Sequence, residues 1–470
     1  MQRTGHKPAE SLSILFFILA RIKKPQSSLE HLITVPDGQS LRGGGFRLAT
    51  LTSVAARSGA ALLPQFQLVR STTLRLTDPL SAEDAMVQSM SDASPAKWHL
   101  AHTTWFFETF ILSGQSAPYQ LFNPEYRLLF NSYYKTLGSH PARQQRGTFS
   151  RPSFSDVLRY RAHVDEAVQR LLATEPSPEI LALVELGLHH EQQHQELILT
   201  DILHAFCIQP LRPAYAPPQE YGTAASPARW IAHDGGMVEI GAPVDGFAFD
   251  NERSRHAALL QPYCLASRLA TNAEYLEFIN DKGYQRPELW LSDGWDTACR
   301  EDWLAPLYWE NTGEGWREFT LCGMSPLDPA APVGHVSYYE ADAFARWSGA
   351  RLPLETEWEQ AAKDRPITGN LLESGTLQAR PLVTSTAAEE GQLFGDLWEW
   401  TASAYLAYPG FRPAPGAVGE YNGKFMCNQF VLRGGSFATS ASHLRATYRN
   451  FFPPHARWQF MGIRLASDER

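Results

Sequence analysis

The strongest constraint on this chain is a pair of histidines inside a long apolar helix. His190 and His194 belong to the segment HHEQQHQELILTDILH at 189–204, within a run from about 180 to 206 whose apolar spacing is helical. Residues four apart lie on one face of an α-helix with Cβ atoms roughly 6 Å apart, so these two imidazoles can bind one metal ion. A third ligand is needed, and its identity decides between a peptidase and a different metalloprotein.

Length, charge and cysteine usage limit the class of protein. A chain of 470 residues with 44% apolar composition can form two packed cores. A net charge of −9 without long basic runs argues against a nucleic-acid or anionic membrane surface. The five cysteines are scattered and never spaced as CxxC, which favours a reducing cytoplasm. We therefore expect small-molecule partners and no nucleic-acid or membrane partner, and the sequence leaves the oligomeric state open.

Residues 1–65 differ in character from the rest of the chain. They contain the apolar run SLSILFFILA at 11–20, which is too short to span a bilayer and has no signal-peptide cleavage site after it. The stretch 39–61 has no sustained helical or strand period. We predict that 1–65 is a poorly ordered extension, with a targeting segment as the alternative.

Residues 66–209 have the pattern of a four-helix bundle, a fold whose core often holds a metal site. The predicted helices cover about 82–89, 94–114, 153–174 and 180–206. Ser94 before Pro95 predicts the capped start of one of them.

The chain changes character after the bundle. Residues 210–228 are rich in proline and predict an interdomain linker. Residues 229–470 combine short strand-like runs with many glycines and tryptophans. Capping boxes at Thr271–Glu274 and Ser337–Glu340 predict two short helices. This pattern is typical of an irregular α+β domain.

The His-Glu-x-x-His pattern at 190–194 leaves two simpler interpretations open. It can denote a zinc hydrolase in which Glu191 is the base, although the metzincin extension would need Gly and His where the chain has Leu197 and Thr200. The histidines could instead be surface residues or satisfied core residues. Burying them without partners would cost several kcal/mol, which disfavours a purely structural role.

A candidate third ligand, His102, lies on another predicted helix of the same bundle. Around it and along the chain, seven segments resemble the sulfoxide synthases of the ergothioneine pathway, and the resemblance runs from about residue 67 to the C-terminus. The segments are SPAKWHLAHTTWFFE (94–108), LHHEQQHQELILTDILH (188–204), TNAEYLEFIND (271–281), RLPLETEWEQAA (351–362), FGDLWEW (394–400), VLRGGSF (431–437) and YRNFFPPHARWQFMGIRLA (448–466). Together they are far more specific than any one of them.

The resemblance implies a fold, a cofactor and a reaction. The family is identified by a DinB-like four-helix bundle followed by a formylglycine-generating-enzyme-like domain, which is also called sulfatase-modifying-factor-like or C-type-lectin-like. It uses non-haem Fe(II) and O₂ to join the sulfur of a cysteine-type thiol to imidazole C2 of hercynine, Nα-trimethylhistidine, and to oxidise that sulfur to a sulfoxide. Its iron ligands correspond to His102, His190 and His194. We do not expect the neighbouring His99 and His189 to be metal ligands.

The resemblance also implies substrate contacts. Gln193 and Asn450 match family positions that contact hercynine, and Phe451 and Phe452 offer aromatic faces to its trimethylammonium group, although core packing would also explain both phenylalanines. In the branch that uses γ-glutamylcysteine, an acidic residue occupies the position of Phe452. Its absence here favours free cysteine as the thiol donor.

Charged and phenolic residues complete the predicted site. Arg143 and Arg146 are candidates for binding a substrate carboxylate, with surface exposure as the alternative. A tyrosine is expected to supply a proton during O₂ reduction. Tyr133 and Tyr134 resemble the tyrosine pair of the branch that accepts free cysteine, and Tyr421 is the second candidate because the other branch uses a tyrosine of its C-terminal domain.

Two further function classes fit the sequence less well. A formylglycine-generating oxidase needs paired cysteines near its C-terminus, but no cysteine follows Cys427. A lectin-like binding module on a structural metal bundle would fit the tryptophans and the glycines at 434–435, although such glycines more often serve tight turns.

Overall fold

The computed structural model describes residues 58–115, 119–132, 134, 137–138, 140–218, 224–383, 390–414 and 417–468. The N-terminal part is helical. Its helices are α1 (Gly59–Thr77), α2 (Ala96–Phe107), α3 (Tyr126–Leu129), α4 (Phe154–Leu172) and α5 (Pro178–Ile208). α1 and α2 each pack against both α4 and α5, so the four long helices share one core. The predicted helical bundle is confirmed.

One predicted helix is wrong. Residues 82–89 contain a single 3₁₀ turn at Asp84–Met86, and the fourth bundle helix is α1 instead. α1 begins at Gly59, inside the predicted 1–65 extension. Its buried stripe has helical spacing and runs across that boundary; its members are Leu62, Phe66, Val69, Thr73 and Leu76. Gly59 and Pro64, which usually interrupt helices, concealed this stripe in the sequence.

α5 is the longest element of the bundle and carries His190 and His194. It extends over 31 residues from Pro178, whose fixed φ and missing N–H suit the first helical position. Both apolar and polar side chains along it are buried, so its polar groups need partners from neighbouring elements.

The C-terminal part is an α+β domain, as predicted. Its helices are α6 (Asn272–Asn280), α7 (Ser292–Arg300), α8 (Tyr338–Trp347) and α9 (Glu355–Ala362). Both predicted capping boxes form: Thr271 caps α6 and Ser337 caps α8. Ser94, by contrast, does not cap α2, because the N-cap position is occupied by Pro95; the Ser94 N–H donates to Asp201 Oδ2 at 2.7 Å and its Oγ accepts from Arg146.

Short strands form several small sheets in this domain. The strands are β1 (Trp230–His233), β2 (Gly236–Ile240), β3 (His256–Leu260), β4 (Tyr263–Ala266), β5 (Trp309–Asn311), β6 (Trp316–Thr320), β7 (Gly323–Pro326), β8 (Trp398–Ala404), β9 (Phe430–Arg433), β10 (Asn450–Phe452), β11 (Met461–Gly462) and β12 (Ala466–Asp468). One sheet has the order β10-β9-β8-β11, with β11 parallel to β8 and the other pairs antiparallel. This sheet pairs Asn450 with Leu432, and Tyr448, two residues earlier, accepts a hydrogen bond from Gln193 of α5.

Buried polar contacts join α5 to the C-terminal domain. The carboxylate of Glu196 accepts hydrogen bonds from Trp398 Nε1 at 2.7 Å and from the hydroxyls of Ser436 and Thr439 at 2.8 Å. Gln192 Nε2 donates to Ser442 Oγ at 2.6 Å. The helix that carries the histidine pair is therefore also part of the interface between the two domains.

No helix among the residues placed here combines the length and apolar character that a membrane crossing requires.

Candidate metal centre

Three histidines from two helices meet in the bundle core. α2 supplies His102, and α5 supplies His190 and His194 from successive turns of one face. Potential ligand atoms of the three imidazoles all lie within 4.8 Å of one another. All three side chains are buried, with His102 fully inaccessible. The structure thus brings together the three residues that the sequence nominated as ligands.

The hydrogen bonding of these imidazoles fits a metal ion. His102 Nδ1 donates to the carbonyl oxygen of Phe130 at 2.6 Å, which leaves Nε2 as the lone-pair nitrogen. That Nε2 and both ring nitrogens of His190 are buried without a hydrogen-bond partner among the described residues. Buried imidazole nitrogens without partners are costly, and a metal ion would satisfy them. A satisfied core role for His190 is therefore excluded.

Burial also keeps the imidazoles neutral. Desolvation lowers the pKa of His190 to about 3, and it holds the pKa values of His102 and His194 well below the ordinary value. A neutral imidazole offers the lone pair that a transition metal needs, and three such ligands leave coordination positions open for substrates.

Glu191 is unavailable as the base of a hydrolase. Its Oε1 accepts from Thr73 at 2.6 Å and from Arg161, and its Oε2 accepts from Arg70 at 2.8 Å. The carboxylate is fully buried, and although burial alone would raise its pKa, the two guanidinium groups and these hydrogen bonds hold the pKa at about 2. Glu191 anchors α5 to α1 and α4, so the zinc-hydrolase interpretation fails.

A cavity of about 430 Å³ opens beside the histidines, between the bundle and the C-terminal domain. This volume is typical of a small-molecule site. His190, His194 and Gln193 line it from α5, and the C-terminal domain contributes the opposite wall. Neither domain alone encloses the cavity.

Gln193 is hydrogen-bonded to two tyrosines of that opposite wall. Its Nε2 donates to the Tyr448 oxygen at 2.8 Å, and its Oε1 accepts from the Tyr421 hydroxyl. The Tyr448 oxygen also lies 3.1 Å from His443 Nε2, and His443 Nδ1 lies 3.0 Å from His189 Nδ1. His189 therefore faces the C-terminal domain rather than the imidazole cluster, as expected from its position on α5.

Tyr134 and Tyr421, two of the three predicted tyrosines, lie in different places. Tyr421 lines the cavity, with its ring centroid 5.7 Å from that of His190 and its ring stacked on Phe249. Tyr134 is fully buried against Trp105 and is not part of the cavity wall. Tyr133 lies outside the described residues. Tyr421, the second candidate, is therefore the described tyrosine candidate that lines the cavity.

The two predicted arginines line the cavity but differ in environment. Arg146 is buried, with its guanidinium 3.4 Å from the centroid of the Trp98 ring and hydrogen bonds to the hydroxyls of Ser94 and Ser132. Arg143 is about half exposed, and its Nη1 lies 3.5 Å from Oδ1 of Asp92, which also lines the cavity. Asp92 was not predicted as a site residue, because a single aspartate in a loop belongs to no recognisable sequence pattern.

Asn450, Phe451 and Phe452, the predicted substrate contacts of the C-terminal segment, all line the cavity. Phe451 is also stacked on Tyr405, with ring centroids 4.0 Å apart, so core packing accounts for part of its environment. Tyr448 in the same segment was not predicted as a site residue. Its proximity in sequence to Asn450, two residues later, could have indicated it.

Similarity to known proteins covers most of the chain. Residues 65–198 match the DinB superfamily, and residues 218–469 match the sulfatase-modifying factor enzyme 1-like domain. The chain is 32% identical over 457 residues to the hercynine oxygenase of Mycolicibacterium thermoresistibile, an overlap of 89% of this chain and 97% of that protein. It is 32% identical over 433 residues to the hercynine oxygenase of Mycobacterium tuberculosis, covering 85% and 96% of the two chains.

A partial match adds a eukaryotic relative. Ergothioneine biosynthesis protein 1 of Schizosaccharomyces pombe is 28% identical over 233 residues, which cover 47% of this chain and 28% of that protein.

Proposed function

This chain belongs to the hercynine oxygenase family and is an oxygenase, and we propose that it is an Fe(II)-dependent sulfoxide synthase that acts on hercynine and free cysteine. The observation that carries the proposal is the cluster of His102, His190 and His194 with unpartnered buried nitrogens at the edge of a two-domain cavity. Fe(II) held by these imidazoles would supply electrons for O₂ reduction and open coordination positions.

The proposed reaction balances as a four-electron oxidation. Hercynine loses the hydrogen at C2 and cysteine loses its thiol proton as one C–S bond forms. Sulfur takes one oxygen atom of O₂ as the sulfoxide, and the second oxygen atom leaves as water. The product is hercynylcysteine sulfoxide, the ergothioneine-pathway intermediate that the resemblance implies.

We assign the proton that O₂ reduction requires to Tyr421. Its hydroxyl donates to Gln193 Oε1 at the cavity wall, and its ring lies next to that of His190. The phenol lies at the cavity wall and can release its proton to a group that displaces its hydrogen bond to Gln193. Tyr134 packs against Trp105, whose ring stacks on His102, and it does not line the cavity.

The aromatic part of the cavity wall suits the trimethylammonium group of hercynine. A quaternary ammonium has no N–H to donate and is attracted to aromatic faces. Phe425, Phe451 and Phe452 line the cavity, with Asn450 beside them and Gln193 opposite. We propose that hercynine lies between this wall and α5.

The wall formed by Arg143 and Asp92 suits a small zwitterion. A guanidinium and a carboxylate 3.5 Å apart, both facing the cavity, can pair with the carboxylate and the ammonium of free cysteine. Phe452 offers no charge to the longer γ-glutamylcysteine. Both observations support cysteine as the thiol donor.

A reducing cytoplasm would preserve that thiol and the five unpaired cysteines of the chain.

Oxygen consumption tests this proposal. With Fe(II) supplied, the protein should consume O₂ faster in the presence of hercynine and cysteine together than with either alone. His102→Ala is the matched negative control. A binding module on a structural metal bundle would show no uptake that depends on both substrates, and that result would overturn the proposal.

A further inference from the structure

His99 connects one of the clustered histidines to a buried carboxylate. His99 Nδ1 lies 2.7 Å from His194 Nδ1, and His99 Nε2 lies 3.0 Å from Oδ2 of Asp201. All three side chains are buried. His99 precedes His102 by one turn of α2, and Asp201 follows His194 by two turns of α5, so each helix supplies one clustered histidine and one member of this connection.

The connection determines which nitrogen of His194 carries a proton. A carboxylate oxygen accepts hydrogen bonds, so His99 Nε2 must be the N–H that faces Asp201. An Nδ1–H of His194 that donates to the lone pair of His99 Nδ1 completes this connection. This arrangement leaves the lone pair of His194 on Nε2, as the carbonyl of Phe130 leaves that of His102 on Nε2.

We propose that His99 and Asp201 are positioning residues that fix the tautomer and ring orientation of His194 and thereby set the affinity of the three-histidine cluster for a divalent metal. The proposal rests on the proposed function only in that the cluster binds metal. Loss of such an outer hydrogen-bond partner typically weakens metal binding by about 10- to 100-fold.

A purely structural role for these residues must be separated from positioning. Asp201 Oδ2 also accepts the backbone N–H of Ser94 at 2.7 Å, at the start of α2, so its removal also affects folding stability. His99 makes no such backbone contact in the residues placed here. Its ring can be replaced by phenylalanine with little change in volume, which removes both nitrogens and keeps the packing.

His189→Phe is a matched control. His189 is another buried histidine next to a clustered one, but its Nδ1 contacts His443 in the C-terminal domain. Its replacement therefore changes a buried histidine of α5 without touching the connection between His194 and Asp201.

Titration of the metal-free full-length protein with Co(II), followed by visible absorption, measures the affinity without turnover. His99→Phe should weaken Co(II) binding by about 10- to 100-fold, whereas His189→Phe should bind as the unmodified protein does. Asp201→Leu, checked for folding by circular dichroism, should also weaken Co(II) binding by about 10- to 100-fold. If His99→Phe does not fold, the Co(II) affinity of Asp201→Leu tests the proposal in its place.

Unchanged affinity in folded His99→Phe, or equal losses in His99→Phe and His189→Phe, would overturn the proposal. Lack of turnover with hercynine would count against the proposed function and leave this comparison intact.

Discussion

Gln193 donates a hydrogen bond from Nε2 to the phenolic oxygen of Tyr448 at 2.8 Å, across the boundary between the two domains. The amide oxygen of the same side chain faces Tyr421. A residue that lies between two clustered histidines is thus held in one orientation by the C-terminal domain. The cavity depends on this docking, because its two walls come from different domains.

Tyr448→Phe should weaken hercynine binding while leaving the metal cluster intact. The change removes the acceptor that orients the Gln193 amide, and loss of one such hydrogen bond should raise the KM for hercynine by about tenfold with a smaller effect on kcat. Steady-state kinetics at saturating cysteine measure this split. Tyr263→Phe is the control, since that buried hydroxyl donates to the carbonyl of Glu357 away from the cavity. Equal KM values for hercynine in both variants would contradict the assigned orientation.

Tyr421→Phe should divert O₂ from sulfoxide formation to plain oxidation of the thiol. Without the phenolic proton, both oxygen atoms are expected to end on cysteine sulfur as a sulfinic acid, and the yield of C–S product should fall by about 100-fold. Quantification of the two products by mass spectrometry gives the ratio.

Tyr134→Phe is the matched control for that ratio, because Tyr134 is packed in the bundle core. The double variant Tyr133→Phe and Tyr134→Phe tests the remaining predicted candidate. A changed product ratio in the double variant, with an unchanged ratio in Tyr421→Phe, would transfer the role to the tyrosine pair.

Asp92 and Arg143 should discriminate between two cysteine analogues. Asp92→Asn removes the partner for the ammonium, so binding of cysteine and cysteamine should weaken and that of 3-mercaptopropionate should not. Arg143→Gln removes the partner for the carboxylate and should give the opposite pattern for the two analogues. Both side chains are about half exposed, so we expect changes of only about 3- to 10-fold in KM. Identical effects of both variants on all three thiols would contradict this assignment.

Glu355 should contribute stability that acid removes. It is buried and paired with Arg449 at 2.9 Å and Arg433 at 2.8 Å, beside the Asn450 wall. Burial alone would raise its pKa, but the two guanidinium groups and their hydrogen bonds outweigh it and hold the pKa below the ordinary value. Because the folded-state pKa is lowered, this stability is present above the unfolded pKa of about 4.3 and is lost as the pH falls through the folded value.

Glu355→Gln should therefore lower the unfolding free energy at pH 7 by about 3 kcal/mol, since it leaves two buried cations short of a partner. The difference from the unmodified protein should be constant above about pH 5 and shrink below about pH 4. Urea unfolding across this range measures it, with the exposed Glu277→Gln as control. A difference that grows with acid would contradict the sign.

Local patterns predicted the histidine-bearing helix well. The spacing of His190 and His194 within an apolar run fixes both the helix and the shared face, because these are consequences of 3.6 residues per turn. The start of α1 was missed, since Gly59 and Pro64 resemble helix breakers. Packing of Leu62 and Phe66 against the bundle outweighs the low helix propensity of Gly59 and Pro64.

Contacts between distant parts of the chain were much harder to predict from the sequence. Gln193 and Tyr421 are 228 residues apart, and their contact depends on how the second domain packs against α5. No periodicity or spacing in the sequence predicts this contact. The family resemblance supplied three candidate tyrosines, and of the two that the structure describes, Tyr421 lines the cavity and Tyr134 lies in the core.

The central claim is tested most directly by the product formed under ¹⁸O₂. Fe(II)-loaded protein is incubated with hercynine and equimolar cysteine and γ-glutamylcysteine, and products are identified by mass. We expect hercynylcysteine sulfoxide with one ¹⁸O atom as the main product. A main product from γ-glutamylcysteine would contradict the thiol assignment. Absence of any sulfoxide-linked product from either thiol would contradict the central claim.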